Sequence, residues 1–255
     1  MRKPFVAGNW KMNLSKTEAV ALAAAVAGKA AGFGGVEVGV IPAFVHIDPV
    51  GQAIKGSPVA LGAQDAYFEK NGAFTGEIST AMLTDLGVKY VLVGHSERRH
   101  VLGETDAICN KKLHAVINAG LGCILCVGEK LEHRKAEQTF GVCNSQLVEG
   151  LRGLDKSKVG QLVIAYEPVW AIGTGLNATK EQAQEVHAFI RAELAKIFDA
   201  SAAAGIRIQY GGSVKASNAG ELMSQPDVDG ALVGGAALKA EEFAGIIAAA
   251  AAAKK

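Results

Sequence analysis

Apolar and polar positions along this chain follow a repeated two-beat pattern. Short, mostly apolar runs alternate with longer segments of helical period. The runs are Phe5–Trp10, Val36–Ile41, Val59–Ala63, Tyr90–Val93, Cys123–Val127, Leu162–Tyr166, Arg207–Tyr210 and Gly230–Val233. Runs of this length with little polar alternation fit strands buried on both faces, as in a parallel sheet. The segments between them carry helix signals. Ser15-x-x-Glu18 and Thr179-x-x-Gln182 are capping-box patterns. Ala19, Ala23, Val26 and Ala30 follow the first at helical spacing, and Val186, Phe189, Ile190, Leu194 and Ile197 the second. Further helices are predicted from an Asp48 cap to Lys55, over Ser79–Leu86, Thr105–Ala119, Thr139–Leu151, about Ser217–Met223, and from Glu241 onward. Gly87 and Gly120 stop two of them.

Eight strand-then-helix units with no shift in composition predict a single α/β domain over residues 1–255, at the size and rhythm of a (β/α)8 barrel. A doubly wound open sheet shares the pattern and stays open as an alternative. One connection breaks the rhythm. Residues 64–78 carry Tyr67, Phe68 and Phe74 with little periodicity. A loop of that length inside a compact domain points to function or to an interface, and its aromatics would be a liability on a monomer.

Composition narrows the partners. With 26 Lys and Arg against 25 Asp and Glu, the net charge of +1 argues against a nucleic-acid or membrane-surface partner. No apolar run approaches a bilayer span, and the amino-terminal stretch does not form a signal peptide, so a cytoplasmic location is expected. Cys123 and Cys126 form a C-x-x-C, but three residues apart on a strand they face opposite ways, which reads as two small buried thiols. The six histidines show no metal-ligand spacing.

The chemistry gathers at the strand ends, where barrels place their active groups. Those ends offer Asn9 and Lys11, then His95, then Glu167, then Ser213, then Gly234-Gly235. Glu167 leaves a buried strand and leads into Pro168-Val169-Trp170-Ala171-Ile172, too apolar for a mere link, with Gly173 and Gly175 beyond. A carboxylate under such a flap reads as a general base whose desolvation disfavours its charge. His95 opens a predicted helical turn over Ser96–His100, where an imidazole tends to stay neutral and donate a hydrogen bond. Glycine pairs after the seventh and eighth strands suit backbone N–H groups closing on an anion, the usual phosphate site of barrels. Gly173-x-Gly175-x-x-Ala178 mimics a dinucleotide fingerprint but lies six residues past its strand, outside the tight turn that motif needs. Taken singly, Lys11 reads as a solvated lysine, Asn9 as a turn former and Glu97 as a surface charge. Their common rim weakens those readings.

The stretches Phe5–Asn13, Val93–Arg99, Ala165–Gly175, Tyr210–Val214 and Val233–Ala236 together resemble the triosephosphate isomerase family, and the likeness runs end to end. The resemblance implies a TIM barrel without nicotinamide, flavin or metal. It implies interconversion of dihydroxyacetone phosphate and glyceraldehyde 3-phosphate through an enediol(ate), in glycolysis and gluconeogenesis. Glu167 matches the family's base and His95 its electrophile. Lys11 matches the ammonium that offsets substrate charge, Glu97 the acid beside it, and Asn9 a substrate contact. The phosphate grip maps to the backbone of Gly173, Ser213, Gly234 and Gly235. Residues 64–78 match a loop that enters a second subunit, with Thr75 near its partner's site, so a homodimer is implied. Leu176 departs from the Lys found in many members, which puts the flap's closing rate in doubt. Two other readings remain. One is a different phosphate-handling barrel enzyme, such as an aldolase with Lys11 as its Schiff-base lysine. The other is a binder that has kept the scaffold.

Overall fold

The computed structural model describes residues 2–173 and 177–253. The chain runs through β1 (Phe5–Asn9), α1 (Lys16–Ala30), β2 (Glu37–Ile41), α2 (Ile47–Ala53), β3 (Val59–Ala63), α3 (Thr80–Asp85) and β4 (Tyr90–Val93). It continues with α4 (Ser96–His100), α5 (Asp106–Asn118), β5 (Gly122–Val127), α6 (Leu131–Lys135), α7 (Thr139–Leu151) and β6 (Leu162–Tyr166). It ends with α8 (Lys180–Ile197), α9 (Ala200–Gly205), β7 (Arg207–Tyr210), α10 (Ala216–Met223), β8 (Gly230–Val233) and α11 (Ala240–Ala253). All strands pair in parallel, in sequence order, and β8 closes on β1 with Phe5 opposite Gly230. That closure excludes the open doubly wound sheet.

Most strands are apolar on both faces because each face meets a different core; β7 departs from this, with Arg207 and Gln209 on the face away from Ile208 and Tyr210. Phe5, Ala7, Ile41, Leu92, Ile124, Cys126, Val163, Ala165 and Leu232 fill the barrel interior. The alternate residues, such as Val6, Cys123, Leu125, Ile164 and Tyr166, pack outward against the helices. Cys123 and Cys126 therefore fall on opposite sides of one strand, and all four cysteines are free and buried. The amino-terminal mouth is plugged. Arg207 pairs with Glu37 and hydrogen-bonds the Tyr90 hydroxyl at 3.1 Å, and its guanidinium lies 4.9 Å from the centre of the Phe5 ring. With one end closed, the interior opens only at the carboxyl ends of the strands.

The expected capping boxes form at Ser15/Glu18 and Thr179/Gln182. Asp48 does not cap α2. The helix continues from a 3-10 turn at Phe44–His46, and Asp48 sits in its first turn. Trp10 lies past the end of β1, though it is buried. Two short helices, α6 and α9, had no expectation. Each is only a turn or so long, and Ala-rich α9 has no apolar period to read. The alanine run lies in α11, whose buried face is Phe243, Ile246, Ile247 and Ala250. Lys254 and Lys255 lie outside the described residues.

His187 sits fully buried on α8, its Nδ1 3.1 Å from the Asp227 carbonyl oxygen. Burial pushes its pKa down to about 4. The fold thus holds the neutral ring, whereas the unfolded chain takes up a proton near pH 6.5. His187 should cost the wild type stability as pH falls from about 6.5 towards 4, approaching roughly 3 kcal/mol at the lower end. Denaturant unfolding of wild type and His187→Gln at pH 7 and pH 4.5 checks this. The gap between them should shift in the variant's favour at the lower pH, and a constant gap would contradict it.

Candidate active site

A cavity of about 680 Å³ opens at the carboxyl ends of the strands, lined by Asn9, Lys11, His95, Glu167, Ile172, Gly173, Ser213, Leu232, Gly234 and Gly235 among others. Strand alternation delivers two of these directly. Phe5 and Ala7 point into the barrel, so Asn9 follows; Val163 and Ala165 do, so Glu167 follows. His95 arrives differently. The inward phase of β4 runs through Leu92 and would leave residue 95 outside. Gly94 adopts φ +68°, where a side chain would also strike Cys109 Sγ at 2.8 Å, and this turn swings His95 into the pocket.

Glu167 and His95 are buried together, with the carboxylate Oε1 3.0 Å from Nε2. Ser96 donates its N–H to Oε2 at 2.9 Å and its hydroxyl to Oε1 at 3.1 Å. The other ring nitrogen of His95, Nδ1, accepts the Glu97 N–H at 3.3 Å and so caps α4. That bond leaves the ring's proton on Nε2, facing the carboxylate.

The desolvation expected at Glu167 is real but outweighed. Burial raises its pKa, yet His95 first and the two Ser96 bonds second pull it further down, so it lies below the ordinary value. The same pair acts on His95 in the opposite sense. Burial lowers His95, but the Glu167 carboxylate overcomes this and its pKa is raised. The sequence reading placed each group on the rim but not their contact with each other.

Lys11 has φ +51°, uncommon for a residue with a side chain. Two groups hold it there. Asn9 Oδ1 accepts the Lys11 N–H at 3.0 Å, and Gln64 donates to the Lys11 carbonyl at 2.7 Å and to that of Ile41 at 3.1 Å. Its ammonium meets Glu97 Oε1 at 2.5 Å. Glu97 is half exposed, so this pair contributes under about 1 kcal/mol of stability; its consequence is orientation.

The two glycine pairs differ. A Cβ at Gly211 would meet Glu167 Cγ at 2.9 Å, and one at Gly212 the Tyr210 hydroxyl at 2.3 Å, so those glycines are required by packing. Gly235 has nothing within 4 Å and Gly234 only Lys11 Cε at 3.4 Å, so backbone at this corner is open to a ligand. Of the flap, residues 168–173 are described, with a 3-10 turn at Val169–Ala171. Thr174, Gly175 and Leu176 lie outside the described residues. Trp170 Nε1 donates to Glu129 at 2.8 Å, and the Tyr166 hydroxyl donates to the same carboxylate at 3.1 Å. Hydrogen bonds to a charged group contribute about 1.5–3 kcal/mol, enough to hold the flap root in this position. Glu129, Ser96, Gln64 and Cys126 lay outside the candidate set. Their roles come from contacts across strands, and only Ser96, first residue of the turn after His95, had a local signal. Cys126, inside the barrel near Glu167, is an inert thiol whose pKa is pushed well up, by burial first and by the Glu167 charge second.

The profile of the family described as Triosephosphate isomerase matches residues 4–250. This chain belongs to the triosephosphate isomerase family. Among its relatives is a triosephosphate isomerase of Rhodopirellula baltica, 53% identical over 249 residues, covering 98% of this chain and 98% of that protein. That of Chlorobium phaeovibrioides is 53% identical over 251 residues, covering 98% and 100%. That of Carboxydothermus hydrogenoformans is 53% identical over 247 residues, covering 97% and 98%.

Removing the Glu167 charge removes the largest cause that raises His95 and leaves burial in place. In Glu167→Gln, His95 should therefore titrate at lower pH than in the wild type. Ring ¹⁵N chemical shifts followed against pH check this; an unchanged or higher midpoint would break the pairing.

Proposed function

We propose that Glu167 is the base, His95 the electrophile and Lys11 the charge-balancing cation in the family's reaction, the interconversion of dihydroxyacetone phosphate and D-glyceraldehyde 3-phosphate. The observation that carries this reading is the 3.0 Å contact between a buried carboxylate and a buried imidazole at the floor of a pocket with an open amide corner. The reaction moves one proton between adjacent carbons, and a carboxylate takes it from one and returns it to the other. As the proton leaves, charge develops on the carbonyl oxygen, where a preorganised donor is most effective. His95 supplies the Nε2 proton there, and Lys11 lies on the same side of the pocket. The phosphate goes to the backbone of Gly173, Ser213, Gly234 and Gly235, with Asn9 as a further contact. Glu97 orients Lys11.

In the ligand-free site Glu167 is occupied by Ser96 and His95, so it is charged but a weak base. Substrate has to take over His95, and Glu167 has to leave Ser96, before the carboxylate meets a carbon-bound proton. Losing those bonds while buried removes what lowers its pKa and leaves the desolvation that raises it. Closure of the apolar flap over the site excludes water from an enediolate that could otherwise expel its phosphate. On this reading the enzyme serves glycolysis and gluconeogenesis in the cytoplasm; among the described residues no helix is long and apolar enough to cross a membrane.

The loop 64–78 supports a homodimer. Tyr67 and Ile78 close its neck through a 2.8 Å bond, and Tyr67, Phe68 and Phe74 stack at its base. Asp65 anchors it to Lys112 at 2.7 Å and to Arg98 at 2.8 Å. Its tip is exposed, as are Phe44, Val45, Met82, Val101 and Leu102 elsewhere on the surface. Exposed apolar residues and a loop that carries aromatics on an anchored neck fit burial against a second copy.

Glu167→Gln should lower kcat by roughly 10³-fold with the fold intact, measured by a coupled assay in both directions. Undiminished turnover would remove Glu167 as the base. Sedimentation velocity should give a dimer for the wild type and a smaller species for Thr75→Arg. A wild type that sediments as a monomer at micromolar concentration would remove the dimer.

A further inference from the structure

Gln146 lies on α7 and lines no part of the pocket. It is buried, and its amide makes two bonds to one residue. The Gly128 N–H donates to Gln146 Oε1 at 2.7 Å, and Gln146 Nε2 donates to the Gly128 carbonyl at 3.3 Å. A side-chain amide bonded to both the N–H and the C=O of one residue fixes that residue in place and in orientation. Gly128 is the point where β5 leaves the sheet and the main chain of Glu167 comes closest. A Cβ at position 128 would lie 1.8 Å from the Glu167 carbonyl oxygen. Its neighbours complete the seat. The Glu167 N–H donates to the Val127 carbonyl at 2.8 Å, and the Val169 N–H to the Glu129 carbonyl at 3.0 Å. The Glu129 carboxylate, one residue on, holds Trp170 and Tyr166.

We propose that Gln146 is a positioning residue for the isomerisation: by bracketing Gly128 it sets the backbone from which Glu167 and the root of the flap project. This rests on Glu167 being the base. An apolar residue of similar size would fill the space but leave the Gly128 N–H and C=O to seek other partners, moving the seat. A carboxylate displaced by about 1 Å at the reacting carbon costs up to about 10²-fold in rate. The phosphate contacts on the loops after β7 and β8, at Ser213, Gly234 and Gly235, are separate and should not feel the change; only the Gly173 contact lies beyond the flap root.

Two variants test this. Gln146→Met loses both bonds, while Gln146→Glu keeps the acceptor for the Gly128 N–H and loses the donor. The readouts, taken well below the melting temperature, are kcat, KM for glyceraldehyde 3-phosphate, and inhibition by phosphoglycolate and by inorganic phosphate. Phosphoglycolate carries a carboxylate that senses Glu167; inorganic phosphate senses only the amide corner. Gln146→Met should lose about tenfold or more in kcat and a similar factor in phosphoglycolate binding, with KM and phosphate inhibition within about twofold of wild type. Gln146→Glu should fall between. A folded Gln146→Met with wild-type kcat, or with phosphate and phosphoglycolate weakened alike, overturns the proposal. Should that variant not fold, Gln146→Glu decides: a loss of kcat under about threefold overturns it, and a larger loss with phosphate inhibition intact supports it. Glu167→Gln assayed alongside separates the layers. Activity retained there sinks the base itself, whereas an inactive Glu167→Gln beside a fully active Gln146→Met sinks the bracket alone.

Discussion

A carboxylate taken out of water has to be compensated, and in this molecule that carboxylate is Glu167. Removing a charged group from water costs several kcal/mol unless hydrogen bonds and counter-charge replace the lost hydration. Here the replacements come from β4 and its turn: the imidazole of His95 and the N–H and hydroxyl of Ser96. Glu167 itself comes from β6. The contact therefore ties together two strand ends that are not neighbours in the barrel, with β5 between them. Much of the surrounding rim serves that contact. Gly94 turns His95 inward, Gly211 leaves room for the Glu167 side chain, and Gly128 lets the two main chains approach.

The same compensation explains why the resting site is stable and not yet reactive. Bonds that keep Glu167 ionised also occupy the lone pairs a base would use. On the proposed reading, substrate offers new partners to His95 and so loosens the older set. The energy of the resting bonds becomes part of the barrier to leaving them, and burial then works in the opposite direction, towards a stronger base. On that reading one residue is well satisfied with Ser96 and His95 as partners and more basic once it has left them, without a change in its covalent surroundings. Trp170 is tied to Glu129, and Pro168 and Val169 follow Glu167 directly, so the flap root and the carboxylate share one short stretch of backbone.

Rigidity below the rim makes this possible. The plug of Arg207, Glu37 and Tyr90 closes the far mouth, and the interior cluster from Phe5 to Leu232 fills the space between. A close-packed barrel has low compressibility, so the strand ends are held in fixed relation to one another. The loop 64–78, held by Lys112 and Arg98, is anchored to the same frame.

Much of this was legible in the residues alone. Mostly apolar runs spaced by helical segments determined a parallel α/β fold, because a strand with two buried faces has no polar side to show; the closure of β8 on β1, which makes it a barrel, came from the structure. The ends of the apolar runs put Asn9 and Glu167 on the rim, and the inward phase of Phe5 and Ala7, and of Val163 and Ala165, then showed which way they face. The residue types at the strand ends, together with the resemblance they carry, determined the family. Tertiary structure decided the rest. It decided that the glycines after β7 serve packing while those after β8 leave backbone open, since a one-letter pair does not reveal what would meet a Cβ. It decided that Asp48 caps nothing and that Gln64, Glu129 and Gln146 hold the site from behind, since each of these three acts on a partner at least 18 residues away along the chain. It decided, above all, the charge state at the centre. Burial alone pushes a glutamate towards neutrality, and only the three-dimensional approach of His95 and Ser96 reverses that sign. A pKa is a sum over neighbours in space, and the order of residues along a chain does not contain that sum until the chain has folded.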